Sequence, residues 1–194
     1  LGTLGLPDTY MQLPQRAKGL LLVTGPTGSG KTTTMASTIA YMNETTRRHI
    51  ITLEDPVEFI HESNFSLIHQ RQMGGRDAKD FAGGLRAAMR EDPDVIFIGE
   101  MRDRDTVQVA LDAANTGHLV LATLHTMGAR NTIERITSFF PADEKDWVQQ
   151  VVSSVLVGVM SQVLVPRTNG KGGRVLAYEL LINTSQVRNA IREG

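Results

Sequence analysis

Apolar residues along this chain fall into short, nearly continuous runs, separated by stretches where they recur every three or four positions. Leu20, Leu21, Leu22 and Val23 form the first run, the pattern of a strand buried on both faces of a parallel sheet. His49 to Leu53, Asp94 to Glu100 and His118 to His125 repeat it, with shorter strands predicted at 65–69 and 174–182. Helical spacing follows each long run. Thr33 to Tyr41 continues toward an end near 43–46, and Asp77 to Arg90 places Phe81, Leu85 and Met89 on one face. Arg102 to Ala114 turns Val107, Ala110, Leu111 and Ala114 inward. Helices are predicted at 132–140, 143–164 and 185–192, and turns at 73–75 and 170–173. Strands alternating with helices define an α/β fold with a mainly parallel sheet and helices on both faces. Residues 1–19 read as a linker and short helix ahead of a core spanning 20–194.

The most apolar late stretch, Val151 to Val165, contains Ser153, Ser154, Gly158, Ser161 and Gln162. It is shorter than the roughly 20 residues of a spanning helix, so a buried amphipathic helix is expected there.

The first apolar run leads into Gly25-Pro26-Thr27-Gly28-Ser29-Gly30-Lys31-Thr32, a complete G-x-x-x-x-G-K-[ST] spacing between a strand and a helix start. Glycines let the main chain curl around phosphate oxygens, and the helix N-terminus adds N–H groups and positive potential. Lys31 suits the β- and γ-phosphates and the Thr32 hydroxyl suits Mg²⁺. The motif predicts a nucleoside triphosphate site.

Composition narrows the partners. The chain has 194 residues, no cysteine and a formal net charge of −1. Size fits one well-buried domain, the lack of cysteine excludes disulfides and cysteine zinc ribbons, and the charge offers no case for nucleic acid. No signal peptide is evident and cytoplasm is the default expectation; both ends read as cuts through a longer protein.

Hydrolysis needs a held metal, an aimed water and positive charge on the departing oxygens. Glu100 ends a strand expected to lie beside the phosphate-loop strand, which makes it first choice for orienting and deprotonating the water. Position 99, where many such motifs carry a metal-binding aspartate, is glycine, so Glu54, Asp55 and Glu58 are the expected supply of metal contacts. His125 lies on the same strand edge, where it could report the γ-phosphate. His118, at the opposite end of its strand, is expected in a structural or inter-subunit contact. Arg71, Arg86, Arg90, Arg102 and Arg104 are candidates for charge neutralisation, with surface ion pairing the commoner role for any one.

Residues 89–103 resemble the signature of the secretion ATPases of type II secretion and type IV pili. Thr52 to Glu58 resembles that family's aspartate box, and Gly117-His118 with Thr123-Leu124-His125-Thr126 its histidine box. The resemblance implies a RecA-like ATPase domain in a homohexameric ring, with ATP and Mg²⁺, Lys31 on phosphates and Glu100 as catalytic base. It implies that Glu58, His118 and His125 are required for turnover. It also implies an additional N-terminal domain, and a ring peripheral to the inner membrane acting on a platform protein. Assembly and secretion motors of the family insert a tetracysteine element that this chain lacks, and residues 186–194 are close to the A-I-R-N-L-I-R-E-G stretch of retraction motors. Expected, then, is a motor for pilus retraction; the alternatives are an assembly or secretion motor, a binding switch with negligible turnover, and a nucleic-acid translocase disfavoured by charge.

Overall fold

The computed structural model describes residues 4–75, 79–168 and 173–193. Its strands are β1 (Gly19–Thr24), β2 (His49–Glu54), β3 (Leu67–Gln72), β4 (Val95–Ile98), β5 (Leu119–Leu124), β6 (Leu156–Pro166) and β7 (Arg174–Ile182). Its helices are α1 (Asp8–Met11), α2 (Lys31–Thr45), α3 (Phe81–Ala88), α4 (Arg104–Thr116), α5 (Ala129–Ser138), α6 (Lys145–Val155) and α7 (Ser185–Glu193). One sheet of seven strands runs β3-β2-β4-β5-β1-β6-β7, parallel throughout except for the antiparallel β6–β7 pair.

Alternation along β1 creates the two layers. Leu20 and Leu22 join a cluster with residues of α3, α4, α5 and α6, while Leu21 and Val23 join one with Met35, Ile39 and Met42 of α2. A strand with side chains buried on both sides must be apolar at every position, which is why its sequence reads as a continuous run. Local signals set the helix starts. Asp80 accepts from Gly83 N at 2.6 Å to open α3, and Asp103 accepts from Thr106 N at 2.8 Å to open α4.

Three expectations need correction. The helix expected over 143–164 ends at Val155, and residues 156–166 form β6 between β1 and β7. An apolar run of that length suits either state on its own; the open flank of β1 decides for strand. Gly158 permits it, since a Cβ there would meet Leu181 O at 2.7 Å. Second, β4 does not lie beside β1, because β5 is inserted between them. Third, the segment expected as a linker carries the short helix α1 but is packed down: Leu6, Tyr10 and Leu13 are buried, and Tyr10 Oη meets Thr38 Oγ1 at 3.0 Å. Burial raises the Tyr10 pKa to about 12, despite the opposing hydrogen bond to Thr38. The turn expected at 73–75 is present, whereas that at 170–173 falls largely outside the described residues.

Candidate functional site: a phosphate loop facing a carboxylate and a histidine

The six strands from β3 to β6 in the sheet order are parallel, so the loops leaving their C-terminal ends share one edge. A cavity of about 510 Å³ lies there, lined by residues of the phosphate loop and by Glu54, Asp55, Glu58, Glu100, Arg102 and His125. That volume is in the range of small-molecule sites. Gly30, with φ of 89°, turns the chain into α2, and a Cβ at Gly25 would collide with the Gln162 carbonyl.

Lys31, the first residue of α2, points back across the loop. Its Nζ donates to Gly25 O at 2.8 Å and Pro26 O at 3.1 Å, and lies 3.5 Å from His125 Nδ1. The ammonium is thus held over the cradle rather than in solvent. Burial lowers its pKa, and the charge of Glu100 works against that shift.

Glu100 reaches the cavity from β4 even with β5 between β4 and β1. Gly99 N donates to Leu53 O, Met101 N to Thr123 O, and Thr123 Oγ1 to Gly99 O, which pins the strand end against both neighbours. A side chain at position 99 would press on Leu53 O at 3.2 Å and Glu54 Cα at 3.4 Å. That close packing accounts for the glycine and moves acidic oxygens to other positions. Glu100 Oε1 lies 3.3 Å from His125 Nε2, and Oε2 lies 2.7 Å from Arg102 Nη2. Burial pushes the Glu100 pKa up, but Arg102 and His125 together hold it below the usual carboxylate range. Arg102 in turn is raised by its bond to Glu100. One histidine therefore bridges lysine and glutamate, a continuous chain of contacts from the phosphate cradle to the carboxylate.

Glu54, Asp55 and Glu58 also line the cavity. Thr32 Oγ1 donates to Glu58 Oε1 at 3.3 Å. Glu54 is buried, and its Oε1 accepts from Thr52 Oγ1 at 2.6 Å and Gln70 Nε2 at 3.1 Å. Among the described residues, no three His, Asp or Glu side chains converge closely enough to hold a metal ion by themselves. The buried Ser29 Oγ, which has no hydrogen-bond partner among the described residues, adds polar capacity inside the loop.

His118 is elsewhere. It precedes β5 at the opposite edge of the sheet, where its Nδ1 donates to Ala113 O at 3.1 Å, and it is not among the residues lining the cavity. The role in turnover that the resemblance implies for His118 thus concerns a residue at the sheet edge away from the cavity. Among the arginines, Arg71 pairs with Glu91 at 2.6 Å, and Arg104 pairs with Glu144 at 2.7 Å while lying over the Phe140 ring. Of the five considered, only Arg102 lines the cavity. Sequence reading missed Arg174 of β7, which lines the cavity and lies 3.4 Å from Gly28 O, and Gln162 of β6, whose Nε2 donates to Ser29 O at 2.8 Å. Neither is in a recognisable motif, and both arrive through strand order alone.

A glycine loop between β1 and α2, a lysine turned over it, and a glutamate leaving the strand two places away define a P-loop nucleoside triphosphatase domain. The chain belongs to the type II/IV secretion system protein family, whose model matches residues 6–194. It is 50% identical over 190 residues to the type IV pilus retraction ATPase PilT of Pseudomonas aeruginosa, covering 98% of this chain and 54% of that one. It is 50% identical over 194 residues to a twitching motility protein of Neisseria gonorrhoeae, covering all of this chain and 51% of the other. The crystal structure of the pilus retraction motor PilT with bound ADP superposes with a TM-score of 0.95 at 56% identity, covering 99% of this chain and 55% of that one. The chain spans about half the length of the curated relatives it matches.

Proposed function

We propose that this chain is the ATP-hydrolysing core of a ring motor, a homohexamer that powers type IV pilus retraction from the cytoplasmic face of the inner membrane. The observation that carries hydrolysis is the contact chain Lys31–His125–Glu100, which ties the phosphate cradle to a carboxylate. In this reading Lys31 and the loop amides bind the β- and γ-phosphates, and Glu100 orients the attacking water and takes its proton. His125 holds Glu100 in place and contacts the γ-phosphate. Arg102 leaves Glu100 for the developing phosphate charge, which frees the carboxylate to act as base. Thr32, Glu54 and Asp55 would hold Mg²⁺, which when bound supplies positive charge against the departing oxygens.

Retraction is favoured over assembly or secretion by the names of the two relatives above and by the absence of cysteine. No helix among the described residues is long and apolar enough to cross a membrane. Steady-state phosphate release by the full-length protein tests the motor against a binding switch. Deleting the gene tests the direction of work: surface pili that persist without twitching support retraction, and loss of the pili overturns it.

A further inference from the structure

The β6–β7 hairpin carries none of the residues assigned above to phosphates or catalysis, yet it is bonded to both loops that do. Successive strand residues face opposite sides of the sheet, and here the two sides meet different halves of the site. Gln162, only 3% exposed, donates from Nε2 to Ser29 O in the phosphate loop at 2.8 Å. Its own carbonyl backs Gly25, and a Cβ at Gly30 would lie 3.3 Å from its Nε2. Ser161 turns the other way and accepts from Gly128 N at 2.8 Å. Directly across the ladder from Ser161, Glu179 accepts from Ala129 N at 3.0 Å.

Gly128 and Ala129 open α5, immediately after the turn that carries His125. Gly128 has no side chain to cap the helix, so the first free N–H groups find their acceptors on the hairpin. A carboxylate also suits the partial positive charge of that helix end. Thr126 Oγ1 completes the tether at 2.7 Å from Thr132 Oγ1 in the first turn of α5.

We propose that the β6–β7 hairpin keeps the phosphate loop and the histidine turn in register, with Gln162 the positioning residue for the loop and Glu179 the positioning residue for His125. The proposal rests on the ATP-hydrolysing reading and assigns it two further residues with separable effects. Without the Gln162 amide, a buried carbonyl loses its donor and the cradle relaxes, which is felt when phosphates bind. Without the Glu179 carboxylate the cradle is untouched but the turn after His125 is released, which is felt in turnover.

The test uses the full-length protein, ADP binding by calorimetry, phosphate release with MgATP, and thermal midpoints. Gln162→Ala is expected to weaken ADP about tenfold while kcat at saturation stays within about threefold. Glu179→Ala is expected to lower kcat about tenfold with ADP affinity within about twofold, and Glu179→Gln, which keeps an acceptor oxygen, to restore most of it. If Gln162→Ala does not fold, Gln162→Met keeps the length of the side chain without the donor and carries the same expectation. Equal losses of affinity and kcat in both variants, or no loss in either, overturn the proposal. A wild-type protein that binds no ADP and releases no phosphate instead overturns the ATPase reading beneath it.

Discussion

His125 and His118 flank the same strand, yet only one of them meets the cavity. His125 leaves the C-terminal end of β5 with one nitrogen 3.5 Å from Lys31 Nζ and the other 3.3 Å from Glu100. His118 enters at the N-terminal end and closes the last turn of α4 through Ala113 O. The same contrast holds between the two edges of the sheet. At the C-terminal edge, loops of several strands bring unlike charges into one cavity. At the other edge, polar side chains satisfy backbone: Arg48 donates to Pro14 O and Gln15 O, and Asp94 accepts from His49 N. In a parallel sheet every strand points its exit loop the same way, so chemistry gathers on one edge and closure of the fold is left to the other.

The largest expected effect breaks the first edge at its carboxylate. Glu100→Gln keeps the shape but cannot take a proton, and should lower kcat by about 10²–10⁴-fold in a phosphate-release assay while ADP still binds. Unchanged turnover would remove Glu100 from the role of base. Next comes the histidine pair itself. His125→Ala should lower kcat by about one to two orders of magnitude, the scale of a lost charge-assisted contact, whereas His118→Ala should leave ADP affinity within about twofold in calorimetry. A marked loss of ADP affinity in His118→Ala would erase the distinction between the edges.

A subtler test sharpens the electrostatics. Arg102 helps hold the Glu100 carboxyl below its usual range against the upward push of burial. Removing that cation in Arg102→Ala raises the Glu100 pKa, so the acid limb of kcat/KM should move to higher pH. A limb that stays in place would detach Arg102 from Glu100. The smallest effect belongs to the packing far from phosphates. Tyr10→Phe deletes the buried bond to Thr38 and should cost about 1 kcal/mol in denaturant unfolding, with turnover unaffected. The folded-state pKa of Tyr10 is raised, so its share of stability is complete below the ordinary tyrosine pKa of 10.0 and is lost as pH climbs toward about 12. Alkaline unfolding should therefore be gentler in the Tyr10→Phe variant.

Much of the site was readable before any coordinates. The phosphate loop, the strand ending at Glu100 and the strand ending at His125 are each local patterns, because a doubly buried strand needs an unbroken apolar run and a phosphate cradle needs glycine at fixed spacing. The family match over residues 6–194 accords with that reading. Less readable were the partners of each charge. Surface pairing joins Arg71 to Glu91 and Arg104 to Glu144, acids 20 and 40 positions away that no local pattern singles out.

By itself, then, the sequence determined that β1, β2, β4 and β5 are strands, that a glycine loop with Lys31 follows the first of them, and which acid and histidine end the last two. Only the tertiary structure decided that β5 stands between β4 and β1, and that 156–166 is a strand. It alone brought Gln162, Glu179 and Arg174 to the loops they touch. The physical reason is range. Periodicity and motif spacing record forces between residues a few positions apart, whereas strand order and the choice between strand and helix in an apolar run are set by surfaces more than a hundred residues away.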